Sequence, residues 1–175
     1  MEIAMLTYKK VNKNEVNEDM FNQIMNVENS TGSGYSEDIM HEIWTERDNN
    51  DNFACFDGDK IVAHISYNPK SKRRNGSIFM VNLTVLPEYR KRGIAQNLIY
   101  TACDYYISQG AKLLMSTSVD KDNIPAVNLY QKVGFEIKDP ICEVDEDDEQ
   151  YIMDSSLYNI KATLDSILNI NRNIK

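Results

Sequence analysis

Between Ile78 and Tyr106 the hydrophobic period changes once, across a proline and a run of three basic residues. Ile78 to Leu86 is an apolar run that reads as a buried strand, and Pro87 closes it. After Arg90-Lys91-Arg92-Gly93, the residues Ile94, Leu98, Ala102 and Tyr106 recur at helical spacing, flanked by Ala95, Ile99 and Cys103. A strand that passes through a short turn into a helix able to face a sheet is a unit of α/β architecture. The junction is also chemically distinctive. A helix start leaves backbone N–H groups without intrahelical partners and carries partial positive charge, so it binds anions. Gly93 lets the main chain approach a ligand, Ala95 keeps the next position small, and Arg90, Lys91 and Arg92 concentrate positive charge in a chain of net charge −8. The junction reads as a phosphate site, against the plainer alternative of a basic helix start with no ligand.

The rest of the chain fills out the fold. Residues 2–8 read as a first strand, and Asn12 with Glu15 resembles a capping pair before a helix bearing Val16, Met20, Ile24 and Val27. Asn29 to Gly34 breaks that helix, and Ser36 caps a second one with Ile39, Met40, Ile43 and Trp44 on its apolar face. Phe53–Phe56 and Ile61–Tyr67 are strands joined through Asp57-Gly58, a hairpin signal, and Pro69 to Gly76 is a basic loop. Lys112–Val119 reads as a strand, Ala126–Val133 as a helix, Phe135–Lys138 and Tyr151–Asp154 as strands. Leu157, Ile160, Leu164, Ile167 and Leu168 make a last amphipathic helix. The expected order, β-α-α-β-β-β-α-β-α-β-β-α, is α/β with a mixed sheet. With 175 residues and no internal linker, a single domain over 1–175 is expected.

Composition removes several function classes. A pI of about 4.8 argues against nucleic-acid binding, which needs a basic face. No apolar stretch reaches the roughly 18–20 residues of a membrane span. Met1 to Thr7 lacks the features of a signal peptide, and Cys55, Cys103 and Cys142 are odd in number and unsuited by spacing to metal or redox motifs. A cytoplasmic protein with no membrane partner and no metal is expected, all the more because His41 and His64 are the chain's two histidines.

At two places the sequence resembles the GNAT superfamily of acetyl-CoA-dependent N-acetyltransferases. Arg90-Lys91-Arg92-Gly93-Ile94-Ala95 matches that family's Gln/Arg-x-x-Gly-x-Gly/Ala signature at each constrained position, after a strand ending in Val-x-Pro. Asn123-Ile124-Pro125-Ala126-Val127-Asn128-Leu129-Tyr130-Gln131-Lys132-Val133-Gly134-Phe135 resembles its Asn-x-x-Ala-x-x-Leu-Tyr-x-x-x-Gly-Phe segment. The resemblance covers residues 50–154 and implies a mostly antiparallel mixed sheet with splayed central strands and flanking helices. It implies acetyl-CoA as co-substrate, with Arg90, Lys91, Arg92, Gly93, Ile94 and Ala95 at its pyrophosphate and Leu83, Thr84 and Val85 along its pantetheine arm. Asn123, Ala126 and Tyr130 would also meet the cofactor. It further implies residues 1–50 as variable substrate-side helices, 77–137 as the cofactor-binding core and 157–175 as a C-terminal helix.

Chemically, a thiolate leaving a thioester needs a proton or hydrogen bond, which the Tyr130 phenol can donate; helix packing is its plainer role. The resemblance further implies that a backbone N–H of Leu83 or Thr84 stabilises the oxyanion as a primary amine attacks, the thioester lying where the two central strands splay. Ser77 to Val85 contains no carboxylate, and Ser118 stands where some relatives carry a glutamate, so no general base is assigned. Asp120 and Asp122, ordered water, or a residue of the N-terminal half remain open for that role. Tyr35 and Trp44 are candidates to line the acceptor site, with core packing the competing role for Trp44. Six acids between Glu143 and Glu149 form a solvated loop or a lure for a cationic acceptor. The expected acceptor is a small amine, a polyamine or a peptide amine, and the expected assembly a monomer or homodimer. The alternative is a non-catalytic acyl-CoA-binding or sensory domain of the same fold.

Overall fold

A computed structural model describes residues 5–32, 34–70, 76–111, 114–138 and 150–173. Ser33, Cys142 and the acidic run 143–149 lie outside the described residues. In chain order the elements are β1 (Leu6–Val11), α1 (Glu18–Asn29), α2 (Glu37–His41), β2 (Asp51–Asp57), β3 (Lys60–Asn68) and β4 (Ile78–Val85). They continue with α3 (Ile94–Ser108), β5 (Leu114–Asp120), α4 (Ile124–Lys132), β6 (Glu136–Lys138), β7 (Gln150–Ser156) and α5 (Leu157–Asn173). The order of strands and helices is the one expected from periodicity. The sheet is seven-stranded in the order β1-β2-β3-β4-β5-β7-β6 and mostly antiparallel, with a parallel ladder joining Ile78–Met80 to Met115–Thr117.

Packing divides the chain into two compact units, 1–69 with 81–102, and 70–80 with 103–175. In the first, β1, β2 and β3 form an antiparallel meander, and β2 and β3 turn at Gly58, which needs its φ of +60°. Both strands are almost wholly buried on both faces, with His64 and Ser66 of β3 and Asn52 of β2 the buried polar exceptions to otherwise apolar runs. α1 packs Ile24 and Val27 on this sheet, and Gln23 Oε1 accepts the Ile61 N–H at 2.8 Å, tying helix to strand. α2 runs into a single π turn, Glu42–Glu46, closed by Arg47 N–H to Glu42 C=O. That widened turn carries Ile43 and Trp44 inward, and Trp44 is fully buried, so it belongs to the core rather than to an acceptor wall.

Two local expectations shift. The first strand begins at Leu6 and runs to Val11, because its ladder extends along β2 as far as Asn52. Asn12 and Glu15 do pair through their side chains, but they frame a 3₁₀ turn, Lys13–Glu15. Asn17 caps α1 instead, its Oδ1 accepting the Met20 N–H at 2.8 Å.

In the second unit β7 lies between β5 and β6, antiparallel to both. α5 packs against β7 and buries Leu157, Ile160, Leu164 and Leu168 within its own chain. Asn159 Nδ2 donates to the Gly134 carbonyl at 3.2 Å, joining this helix to the turn after α4. Gly134 has φ +108°, and a Cβ there would come within 3.0 Å of Asn159, so both backbone and space require glycine.

Candidate active site

The basic turn is built to present backbone N–H groups. β4 ends at Val85, Leu86 N–H donates to Val62 C=O at 2.9 Å, and Pro87–Tyr89 makes one 3₁₀ turn. Then Lys91 takes φ +61° and Gly93 φ +75°, with Arg92 between them, immediately before α3 starts at Ile94. Lys91 is the described non-glycine residue with positive φ, a conformation costing on the order of 1 kcal/mol. Left-handed residues next to a helix start turn successive N–H groups toward a common point, which makes a concavity for an anion. A Cβ at Gly93 would meet nothing closer than Asn97 Nδ2 at 3.8 Å, so glycine is required there by φ rather than by space. Asn97 holds the Gly93 carbonyl through its side chain at 2.8 Å and its own N–H at 3.0 Å.

The side chains of the turn are anchored from behind. Arg90 Nε donates to Val85 C=O at 3.1 Å, and Arg92 Nη2 to Glu88 C=O at 3.0 Å. Tyr89 donates its hydroxyl to Asp57 on β2 at 2.6 Å, and that bond raises the phenol's pKa above its ordinary value. Arg92 lies over the Tyr89 ring at 5.0 Å and Lys60 approaches it at 5.5 Å. Arg90, Lys91 and Arg92 are all exposed, so the turn offers backbone donors and cations to the same solvent-facing surface.

Along β4 the two-residue period places Asn82 and Thr84 on one face and Leu83 and Val85 on the other. The first of these faces meets a carboxylate that sequence reasoning did not single out. Glu28, on α1, is 1% exposed. Its Oε2 accepts from Asn82 Nδ2 at 2.7 Å and, at the long limit of 3.4 Å, from Thr84 Oγ1. Its Oε1 accepts the Tyr35 N–H at 2.9 Å. His64 Nε2, on β3, lies 3.1 Å from Oε2, an ion-pair distance but off the hydrogen-bonding axis, and both buried ring nitrogens lack an aligned partner. Trp44 packs edge-on against the same imidazole at 5.6 Å. Burial alone would raise the Glu28 pKa, but His64, Asn82 and the Tyr35 N–H outweigh it and hold the carboxyl below its ordinary value. The signal was present in the sequence: Glu28 lies four residues after Ile24, on the apolar stripe of α1, and His64 interrupts the run Ile61–Ile65.

In the second unit, Asn123 Oδ1 accepts the Ala126 N–H at 3.3 Å and caps α4, with Pro125 in the first turn. Asn123 is exposed and Ala126 half-buried. Tyr130 is 8% exposed and packs edge-on against Phe135 at 5.7 Å. Burial pushes its phenol up to about 12, so it stays protonated at neutral pH. Its hydroxyl has no hydrogen-bonding partner among the described residues. Ser118 is half-buried and Asp120 exposed, the latter accepting from Gln150 Nε2 at 2.9 Å. Cys55 and Cys103 are buried thiols whose pKa values burial pushes up to about 11 and about 12, which leaves them protonated. Among the described residues no group of three or more His, Cys, Asp or Glu could hold a metal ion.

The model of the acetyltransferase (GNAT) family matches residues 19–135, spanning the Glu28 cluster, the basic turn and the Tyr130 helix. The chain belongs to that family. The L-amino acid N-acetyltransferase AaaT of Escherichia coli (strain K12) is 30% identical over 88 residues, 49% of this chain and 52% of that protein. The chain therefore spans about half the length of this relative. Among solved structures, the ribosomal-protein-S18-alanine N-acetyltransferase from Escherichia coli superposes with a TM-score of 0.68 at 17% identity, over 87% of this chain and 94% of that one. PaiA N-acetyltransferase from Thermoplasma acidophilum, solved with coenzyme A, has a TM-score of 0.65 at 15% identity, over 87% and 99% of the two chains. At those identities the likeness is one of fold. No helix of the described residues is long and apolar enough to cross a membrane.

Proposed function

We propose that this GNAT chain is an acetyl-CoA-dependent N-acetyltransferase that moves the acetyl group directly to a primary amine. The observation that carries the reading is the turn Arg90–Ala95, where Lys91 and Gly93 adopt left-handed conformations in front of α3. A strained lysine in a short basic turn is retained where the backbone must point its N–H groups at an anion. In this reading the N–H groups around Arg92 to Ala95 hold the pyrophosphate, and the main chain of Leu83, Thr84 and Val85 pairs with the pantetheine arm. Asn123 and Ala126 contact the cofactor from the start of α4. The span 77–137 is then the cofactor-binding core of one domain, with residues 1–50 on the acceptor side.

For the chemistry, a backbone N–H of Leu83 or Thr84 stabilises the oxyanion that develops as the amine attacks. Tyr130 supplies the proton taken up by the departing sulfur; a phenol is protonated at neutral pH and can donate a hydrogen bond there. A covalent acetyl-enzyme is unnecessary, and the raised thiol pKa values of Cys55 and Cys103 disfavour one. A cytoplasmic setting, and an acceptor among small amines, polyamines and peptide amines, complete the reading. The test is thiol release from acetyl-CoA in the presence of a panel of such amines, with the acetylated product followed by mass. Tyr130→Phe should bind acetyl-CoA as the parent chain does and turn over about 10- to 100-fold more slowly. Tight CoA binding with no transfer to any amine would instead indicate a binding or sensory domain.

A further inference from the structure

Glu28 is too deeply buried to touch an acceptor, yet it is the hub of the best-connected polar cluster in the first unit. Four separate segments converge on one carboxylate: α1 supplies it, the segment between α1 and α2 reaches it through the Tyr35 N–H, β4 through Asn82 and Thr84, and β3 through His64. The approach is close enough to exclude any side chain at the neighbouring residue. A Cβ on Gly34 would come within 2.6 Å of Glu28 Oε1, 2.7 Å of its Cγ and 2.7 Å of its carbonyl oxygen. Gly34 is thus glycine for want of space, and the segment after α1 is pressed directly onto the carboxylate. Ser30 and Thr31 strengthen the same seam, their hydroxyls donating to the carbonyls of Val27 and Glu28 at 2.6 Å and 3.1 Å.

Two groups held by this hub reach solvent beside β4. Tyr35 is 41% exposed, and its hydroxyl reaches back to the Val81 carbonyl at 3.4 Å, so the residue is tied to Glu28 at one end and to β4 at the other. Asn82 is half-buried. The carboxylate accepts from Asn82 Nδ2, and Asn82 Oδ1 lies 3.4 Å from the buried Thr84 hydroxyl, so both ends of the carboxamide are held within the cluster and Tyr35 is the more exposed of the two groups.

We infer that Glu28 is a positioning residue for the amine acceptor: it clamps the Gly34-Tyr35 segment onto β4, with Asn82 locked beneath it, so that Tyr35 is held where it meets the acceptor's N–H group. The inference deepens the N-acetyltransferase reading and rests on it for the identity of the ligand. Among the described residues the basic turn makes no hydrogen bond to this cluster; the two sites share β4 alone, where Thr84 meets Glu28 through its side chain and would meet the pantetheine arm through its main chain. Glu28→Gln keeps the volume but replaces one acceptor oxygen by a donor, leaving at least one of the Tyr35 and Asn82 donors unmatched. Gly34→Ala keeps the carboxylate's chemistry but drives a Cβ against its oxygen and the Glu28 carbonyl, forcing segment and carboxylate apart.

The experiment is a three-way measurement on Glu28→Gln and Gly34→Ala: steady-state kinetics with the best amine of the panel, calorimetric CoA binding, and hydrogen exchange at the Tyr35 amide. The expected result for both variants is an acceptor KM raised by about tenfold or more, a CoA Kd within about twofold of the parent, and faster Tyr35 exchange. An unchanged acceptor KM in folded variants overturns the inference. So does a CoA Kd that weakens in step with the acceptor KM, which marks a general loss of structure. If Glu28→Gln does not fold, Gly34→Ala decides alone. If the parent chain acetylates no amine, the proposed function fails, while unchanged Tyr35 exchange would separately refute the clamp.

Discussion

At the scale of single residues, conformation at Gly93 and charge at Glu28 carry the most consequence. Alanine at position 93 must hold φ near +75°, at a cost of roughly 1–2 kcal/mol, or relax and turn the N–H groups out of register. Gly93→Ala should therefore weaken CoA binding about tenfold or more while shifting the melting temperature only slightly, as calorimetry and thermal unfolding would show. For Glu28 the folded-state pKa lies below its unfolded value, so its ionised form stabilises the fold above the ordinary carboxylate range. That contribution disappears as pH falls through the depressed value. The melting temperature of the parent chain should accordingly exceed that of Glu28→Gln at pH 7, and the gap should shrink below about pH 4 as the carboxyl protonates. A gap that is constant with pH would show that packing, not ionisation, is what Glu28 contributes. Neither imidazole nor carboxylate at this hub stood out from composition, because a buried polar group is recognisable only once its partners on other elements are known. Its position on an apolar helical stripe was the one local clue.

At the scale of elements, periodicity and turn chemistry located every strand and helix among the described residues, while the ends moved by a few residues. The reason is visible at α1. Asn12 and Asn17 both carry a side chain able to cap, and local sequence does not say which one meets an unpaired N–H. The structure gives that role to Asn17, and Asn17→Ala should cost about 1 kcal/mol in chemical denaturation, against a few tenths for Asn12→Ala. Trp44 illustrates the other gap. Its helical spacing placed it on an apolar face, and the indole does lie in the core against His64, but the π turn that ends α2 there has no signal in a 3.6-residue period. The basic turn was conspicuous in the sequence because its pattern is local. Glycine, a helix start and three cations lie within six consecutive residues.

At the scale of the whole molecule, the chain is acidic, with net charge −8, and three of its 19 Lys and Arg residues adjoin one another in the turn where phosphate is expected. Such a field favours approach of cationic acceptors and is screened by salt. Transfer to a polyamine should lose efficiency as ionic strength rises from about 0.01 to about 0.3 M, with kcat/KM for a singly charged amine falling less. The fold class and the helical and turn elements that carry the basic turn and Tyr130 were readable from sequence because each is a local pattern. The acceptor side was not, since it depends on which residues of the N-terminal half meet β4. The most direct measurement of the central claim is calorimetric titration of the chain with acetyl-CoA, followed by thiol release on adding the amine panel. The account predicts saturable binding that Gly93→Ala weakens, and thiol release that depends on an amine and is slowed by Tyr130→Phe. Absence of CoA binding, or thiol release that is indifferent to every amine, would contradict it.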